Sequence, residues 1–396
     1  MKKIALFLAA LGLSFQTISA EPLPLVTPGS QASLPMLVMS QAGKAHVYWL
    51  EKDAAGVSSL YLAPTKSDGS FGEKQLIHAS ANLSGGRLAK PIVMQKKSGE
   101  WVAIFSYRHV VEEAPAPGKR PARGNSLMFT SSQDQGKTWS AIQPVHKENK
   151  PNVVRGFFDA TLLPTDEVAV AWLNDIEGKA HERDLRLVTT KQGKFQTEQV
   201  VDDFTCDCCP VRLQVNTAGD FSIYYRENEN NIRDIVRITS KDGGKSFGKA
   251  EKVYVDQWEV KGCPHSGPTS ATWGKEALVS WFSGTPTEPG LRLTTHSGQK
   301  LDVITGKGAK SPFILTKKGQ GLIVWEESQV VNGQDQFVIG YKRIDAQGKV
   351  SDPVFIQTAG SANNPTAAWT ARGVVIAFEE KVGDQPSTIQ IEKIVL

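Results

Sequence analysis

A short, strand-like apolar run carrying one bulky aromatic residue recurs seven times in this chain, at a spacing of about 50 residues. The aromatic residues are Trp49, Phe105, Trp172, Tyr224, Trp281, Trp325 and Phe378. Six of them follow a proline by 13 or 14 residues, and Phe158 stands where the third unit would have its proline. The prolines are Pro35, Pro91, Pro210, Pro268, Pro312 and Pro365. Because such a period is typical of stacked supersecondary units, the repeat predicts an all-β fold, a β-propeller.

Each unit reads as four strands. The proline begins the first strand, the aromatic residue lies in the second, and the third alternates between apolar and polar residues, as in Leu185 to Thr189. The units start near residues 33, 89, 157, 209, 267, 310 and 363, which predicts seven blades, with six as the alternative if a terminal unit is irregular. The last unit ends after its third strand, so we expect the N-terminal segment Pro22 to Pro28 to supply the fourth strand and close the ring.

The N-terminus has the pattern of a secretory signal. Lys2 and Lys3 precede an apolar run over 4–15, and small residues follow at Ser19 and Ala20. No later run reaches the roughly 18 apolar residues that a membrane span needs. We therefore expect a signal peptide over 1–20, one propeller domain over 21–396, and a periplasmic or secreted protein. The net charge is +4 and the charges are interspersed, which argues against a nucleic-acid partner; the oligomeric state is not predicted.

Two turns between the third and fourth strands share the pattern S-x-D-x-G-x-x-aromatic, at 132–139 and 240–247. The Asp side chain of such a turn can accept hydrogen bonds from backbone N–H groups, and its Gly can adopt a positive φ. These turns resemble the Asp-box (BNR) repeats of the sialidase, or neuraminidase, superfamily. The stretch from Val201 to Trp281 further resembles a subgroup of exported bacterial sialidase-like propellers. The resemblance implies that the Asp boxes lie on the face opposite the active site.

The loops that lead into each first strand should gather around the mouth of the central channel, on the face opposite the Asp boxes. Loops on a rigid scaffold are where sites are usually built. An anionic or sugar-like small molecule is one candidate ligand there, because several charged residues are expected on or near this face. The candidate ligand-binding residues are Arg87, Arg155, Asp159, Arg226 and Arg233.

All four cysteines belong to two of these loops, CDCC at 206–209 and CPH at 263–265. In an exported protein the cysteines suggest a structural disulfide, for instance between the first loop and Cys263. The neighbouring positions of Cys208 and Cys209 make two comfortable bridges difficult. A second interpretation is a site for a soft metal, copper or zinc, or a redox function, and free thiols are the third. The candidate metal ligands are Cys206, Cys208, Cys209, Cys263 and His265.

Similar sialidases hold the substrate carboxylate with three arginines, the first of which lies in an Arg-Ile-Pro motif at the start of the first blade. This chain has Ser33-Leu34-Pro35 at that place. A serine cannot supply the bidentate, permanently charged contact of a guanidinium. We therefore predict an exported propeller that binds a ligand or soft metal without ordinary sialidase chemistry. A sialidase-like exo-glycosidase acting on an acidic sugar and a non-catalytic protein-interaction propeller are the alternatives.

Overall fold

The protein folds as a ring of antiparallel sheets in a computed structural model, which describes residues 21–22, 26–66, 70–109, 124–148, 150, 153–179, 181–370 and 373–394. The strands of the first half are β1 Glu21–Pro22, β2 Gln31–Met39, β3 Ala45–Lys52, β4 Ser58–Pro64, β5 Gln75–Ser80, β6 Leu83–Ser84, β7 Ile92–Gln95, β8 Trp101–Arg108, β9 Asn125–Ser132, β10 Gln143–Pro144, β11 Arg155–Leu162, β12 Val168–Asp175, β13 Arg183–Lys191, β14 Lys194–Phe195 and β15 Gln199–Thr205. Those of the second half are β16 Arg212–Val215, β17 Phe221–Arg226, β18 Ile235–Ser240, β19 Glu251–Lys252, β20 Thr269–Trp273, β21 Glu276–Ser283, β22 Gly290–Thr295, β23 Lys300–Ile304, β24 Lys310–Lys317, β25 Gln320–Val331, β26 Gln334–Ile344, β27 Val354–Phe355, β28 Ser361–Thr370, β29 Gly373–Lys381 and β30 Thr388–Ile394.

Within the described ranges these strands form seven sheets, so the prediction of a seven-bladed propeller is confirmed. Blades 1 to 7 begin with β2, β7, β11, β16, β20, β24 and β28, respectively. The N-terminal segment pairs with the last strand and closes the ring, as predicted, although the pairing begins one residue earlier, at Glu21. Glu21 and Pro22 pair with β30 in register Glu21↔Ile391 and Pro22↔Gln390, whereas residues 26–28 are not in a strand. The predicted signal peptide, 1–20, and residues 23–25 lie outside the described residues.

The seven aromatic residues of the repeat all lie in the second strand of their blades and are at most 1% exposed. Seven clusters of buried apolar side chains fill the spaces between neighbouring blades, including the space between blades 7 and 1. Burial of a large side chain stabilises a fold by about 1.5–3 kcal/mol, so the repeated aromatic residues tie each blade to the next. This explains why the aromatic spacing predicts the ring.

The repeated prolines mark the inner end of the blades. Register shifts interrupt the pairing of the first and second strands between Ser33 and Met36 and between Asn363 and Thr366. A proline lies within each of these shifts, and proline has no N–H to donate to the ladder. One cavity at the channel mouth is lined by prolines from five blades, Pro91, Pro210, Pro268, Pro312 and Pro365. The loops that precede the prolines therefore converge at the channel mouth, as predicted.

Both Asp boxes have the local bonds that their sequence predicts. In the second box Ser240 Oγ donates to Asp242 Oδ1 (2.7 Å), and the Gly244 N–H donates to Ser240 Oγ (2.7 Å). Asp242 Oδ1 also accepts from the Ser246 N–H at 3.0 Å. These bonds lie in the turn between β18 and β19, away from the loops at the channel mouth.

Two adjacent glycines of this box provide a matched stability test. Gly243 and Gly244 both have positive φ, 74° and 89°, so alanine at either position should cost about 1–2 kcal/mol. A Cβ at Gly244 would also lie 3.3 Å from Leu187 and 3.4 Å from Phe221, whereas one at Gly243 meets nothing within 4 Å. We expect Gly244→Ala to lower the urea midpoint of unfolding more than Gly243→Ala. Equal shifts would show that the box is not packed against blade 3.

None of the described residues forms a helix long and apolar enough to cross a membrane.

Candidate functional site

The two cysteine loops lie side by side at the channel mouth. Cys206 to Cys209 connect β15 of blade 3 to β16 of blade 4, and Cys263 to His265 lie between β19 of blade 4 and β20 of blade 5. The sequence placed these loops on adjacent blades and on one face. Their donor atoms meet in two groups, Cys206 with Cys208 and Cys209, and Cys208 with Cys263 and His265. The predicted meeting of these five residues is therefore confirmed.

The first group, the inner triad of Cys206, Cys208 and Cys209, is buried. The three cysteines are 1%, 3% and 1% exposed. Their sulfur atoms form a nearly equilateral triangle with sides of 3.7, 3.8 and 3.9 Å. A tetrahedral ion with bonds of about 2.3 Å to sulfur separates its ligands by about 3.8 Å, so the triangle has the size of one face of such a tetrahedron.

The expected disulfide is not confirmed. All four cysteines of the chain are among the described residues, and all four are free thiols. The separations within the inner triad are far longer than the about 2.05 Å of a disulfide bond. Cys263 is exposed, and its Sγ lies 3.8 Å from Asp207 Oδ1.

The second group, the outer triad of Cys208, Cys263 and His265, faces solvent. Its three donor atoms lie within 4.8 Å of one another, and Cys263 and His265 are both exposed. Arg87, in the loop before β7, donates from Nη1 to the His265 carbonyl at 2.9 Å. His265 has a φ of +50°, a conformation uncommon for residues other than glycine. The loop carrying the outer triad is thus held from across the channel mouth by a residue of the blade 2 entry loop.

Buried cations surround the inner triad. Arg233 is 7% exposed and donates from Nη1 to Cys206 Sγ at 3.2 Å. Hydrogen bonding with the Cys208 and Cys209 thiols, together with the charge of Arg233, holds the pKa of Cys206 well below its usual range. Burial raises the pKa of Cys209. Cys206 is therefore the thiol of the triad most readily ionised, which is the form that binds metals.

Arg226, a predicted ligand-binding residue, is 1% exposed and lies under the same loops. Its guanidinium donates to the carbonyls of Ser266 (2.9 Å) and Phe282 (2.8 Å) and contributes favourable charge near Cys209. Among the described residues the ion pairs include no carboxylate partner for Arg226 or Arg233. Two buried guanidinium groups without an ion-paired carboxylate therefore lie next to the three thiols.

Two of the other predicted ligand-binding residues line the channel-mouth cavity, which has a volume of about 170 Å³. Arg87 and Asp159 lie there together with His265. Asp159 Oδ2 accepts from the Leu213 N–H at 2.7 Å and from Arg212 Nη1 at 3.4 Å, and burial raises the pKa of Asp159.

Arg155 lies elsewhere, between blades 2 and 3. Its buried guanidinium donates to the carbonyls of Glu148 (3.0 Å), Asn125 (3.3 Å) and Lys150 (3.3 Å), and to the Glu148 carboxylate at 3.4 Å. Tyr225, the next-to-last residue of the second strand of blade 4, is likewise 1% exposed and donates to Asp202 at 2.5 Å. Both side chains bind internal partners rather than lining the channel mouth. A direct ligand-binding role for Arg155 therefore stays a prediction.

Sequence reasoning missed two basic residues of the cavity, Lys90 and Arg212. Burial lowers the pKa of Lys90 to about 8, against the opposing charges of Glu326 and Glu379. Their positions next to the repeated prolines could have identified them, because Lys90 directly precedes Pro91 and Arg212 follows Pro210 by two residues. The position before the proline also lines the cavity in blades 5 and 6, at Gly267 and Ser311.

The fold and the Asp boxes define the class of protein, a sialidase-like BNR propeller. Residues 57–267 match the family described as a BNR repeat-like domain, so the chain belongs to that family. No curated protein matches it in sequence.

Three solved structures share the fold at low sequence identity. A protein of unknown function from Dyadobacter fermentans is 12% identical over 96% of this chain and 99% of its own, with a TM-score of 0.55. The intramolecular trans-sialidase from Ruminococcus gnavus is 10% identical over 92% of this chain and 94% of its own, with a TM-score of 0.51. The polysaccharide lyase Uly1 is 10% identical over 88% of both chains, with a TM-score of 0.53. Because these neighbours differ in chemistry, the likeness concerns the fold alone.

Proposed function

We propose that this chain is an exported propeller that binds copper(I) through the Cys206, Cys208 and Cys209 thiolates of the inner triad. The observation that carries the proposal is the buried triangle of sulfur atoms, whose sides of 3.7–3.9 Å fit one ion bound to all three. Soft thiolate ligands select copper(I) or zinc over harder ions. The single loop between β15 and β16 carries all three sulfur atoms in this triangle, so little rearrangement is needed on binding.

Charge favours the monovalent ion over zinc. Once a metal ion has displaced the thiol protons, three thiolates carry three negative charges, and the adjacent Arg226 and Arg233 carry two positive charges, so a single negative charge is left to be balanced. Copper(I) brings this buried group to neutrality, whereas zinc leaves it positive. Burying an unbalanced charge is costly, so we expect copper(I) to bind more tightly than zinc.

An anaerobic competition titration tests the proposal. Reduced protein is mixed with a coloured copper(I) chelator, and the fraction of copper that the protein withdraws is followed from the loss of colour. We expect the protein to withdraw copper(I), and an excess of zinc to fail to displace it. A chelator that keeps all of its copper would overturn the proposal.

A glycosidase assay separates this function from sugar hydrolysis. Ser33 in place of an arginine, together with the buried, internally bonded state of Arg155, leads us to expect no fluorophore release from a fluorogenic sialoside. Release that is abolished by Arg87→Ala would instead support an exo-glycosidase at the channel mouth.

Arg233 should tune the affinity of the inner triad. Its hydrogen bond to Cys206 Sγ supports a metal ligand from outside the coordination shell, and loss of such a partner typically weakens metal binding about 10–100-fold. We therefore expect Arg233→Met to weaken copper(I) binding by about that factor in the competition titration.

Arg237→Met is the matched control. Arg237 lies in β18, the strand that begins two residues after Arg233, but its Nη2 pairs with Glu251 at 3.0 Å rather than with a thiol. This variant should keep the affinity of the unaltered protein. Equal affinities for the Arg233 and Arg237 variants would contradict a role for the guanidinium beside Cys206.

A further inference from the structure

The five sulfur and nitrogen donors at the channel mouth form two triads that share one atom, the Cys208 sulfur. In each triad the donor atoms lie within 4.8 Å of one another. Two bonds of about 2.3 Å span at most about 4.6 Å, so each triad can close around its own ion with a small adjustment. A thiolate has more than one lone pair and can bind two ions at once.

We propose that the outer triad of Cys208, Cys263 and His265 binds a second copper(I) ion, bridged to the inner ion by the Cys208 thiolate. This inference rests on the proposed function, since it adds a position to the same centre. Two thiolates and an imidazole are suitable ligands for a soft monovalent ion. The second ion lies on the solvent side of the first.

The difference in exposure gives the outer position its role. Cys206 and Cys209 are each 1% exposed, whereas Cys263 and His265 are exposed. A copper(I) donor in solution can therefore reach the outer triad directly but not the inner one. Copper(I) can pass inward by exchange of ligands on Cys208, without any change in oxidation state. The outer triad thus serves as the entry position for copper delivered by a thiolate-bearing or similarly soft carrier.

The surrounding contacts keep the outer triad in place before metal binds. Arg87 holds the His265 carbonyl, and Asp207 lies 3.8 Å from the Cys263 sulfur. Asp207 also pairs with His181, at 3.4 Å. His181 is 88% exposed in its side chain and belongs to neither triad, which makes it a suitable control.

Anaerobic titration of the reduced protein with copper(I), followed by desalting and elemental analysis, tests the proposal. We expect two equivalents of copper in the unaltered protein and in His181→Ala. Cys263→Ser and His265→Ala should each retain one equivalent, and should take it from the chelator more slowly than the unaltered protein does. Both substituted residues are exposed, so the variants are expected to fold, which circular dichroism would check.

The outcomes separate this inference from the function on which it rests. One equivalent in the unaltered protein, unchanged by Cys263→Ser and His265→Ala, would overturn the second position and leave the inner triad intact. No retained copper would overturn both. Two equivalents in the unaltered protein that persist in both variants would place the second ion elsewhere and also overturn the inference.

Discussion

Cys206→Ser is expected to lower the affinity of the inner triad for copper(I) by about 100- to 1000-fold. Structural zinc sites bind their ion with about 10–16 kcal/mol, which corresponds to about 2.5–4 kcal/mol for each of four ligands. A serine hydroxyl stays protonated at neutral pH and is a hard oxygen ligand, so it does not replace the thiolate. The substitution also leaves Arg233 without the sulfur acceptor that it contacts at 3.2 Å.

The measurement is the competition titration with the copper(I) chelator, and Thr205→Ser is the control. Thr205 precedes Cys206 and is 1% exposed, so the control alters the same buried loop without removing a donor sulfur. We expect its affinity to equal that of the unaltered protein. Retention of full affinity by Cys206→Ser would show that the buried triangle of sulfur atoms is not the binding site.

Asp256→Ala is expected to reduce the free energy of unfolding by about 3–5 kcal/mol, because it leaves the buried charge of Arg292 with only a longer contact, 3.7 Å, to the partly exposed Glu288. Asp256 and Arg292 are 3% and 2% exposed in their side chains, and Arg292 Nε donates to Asp256 Oδ1 at 2.8 Å. The other carboxylate oxygen accepts from the indole of Trp281 at 2.8 Å. The Asp256 carboxylate lies in the loop that follows blade 4, and it accepts hydrogen bonds from two buried donors of blade 5.

Asp335→Ala provides the same substitution at an exposed ion pair. Asp335 contacts Lys307 at 3.2 Å, with side chains that are 61% and 72% exposed. Exposed pairs contribute about 0–1 kcal/mol, so the urea midpoint should barely change. Similar shifts of the urea midpoint in the two variants would show that the Asp256 contacts do not stabilise the packing of blade 4 against blade 5.

The repeat predicted the fold well, because few folds are built from similar four-stranded units that recur about every 50 residues. The aromatic residues, the prolines and the Asp boxes each recur at a fixed place, and each has a physical reason to do so. Trp325, for example, is fully buried, and its indole donates to Glu327 at 2.7 Å. The closing strand was predicted within 22–28. Pro22 pairs with the last strand as predicted, but Glu21 pairs as well and 26–28 lie outside any strand, because this segment carries no alternating pattern that would identify the pairing residues.

The candidate site was predicted in part. Blade order alone places the two cysteine loops beside each other, so their meeting followed from the sequence. The division into two triads did not, because it depends on side-chain positions within irregular loops. The partners of Arg155, Arg226 and Arg233 were likewise inaccessible, since backbone carbonyls and a sulfur atom accept their hydrogen bonds and leave no sequence signature.

X-ray absorption at the copper edge, on protein loaded anaerobically with one equivalent of copper(I), tests the central claim most directly. The inner triad predicts a first shell made of sulfur alone, from Cys206, Cys208 and Cys209, and the spectrum of a monovalent ion. A first shell dominated by nitrogen or oxygen, or copper that is lost on desalting before the spectrum can be recorded, would contradict it.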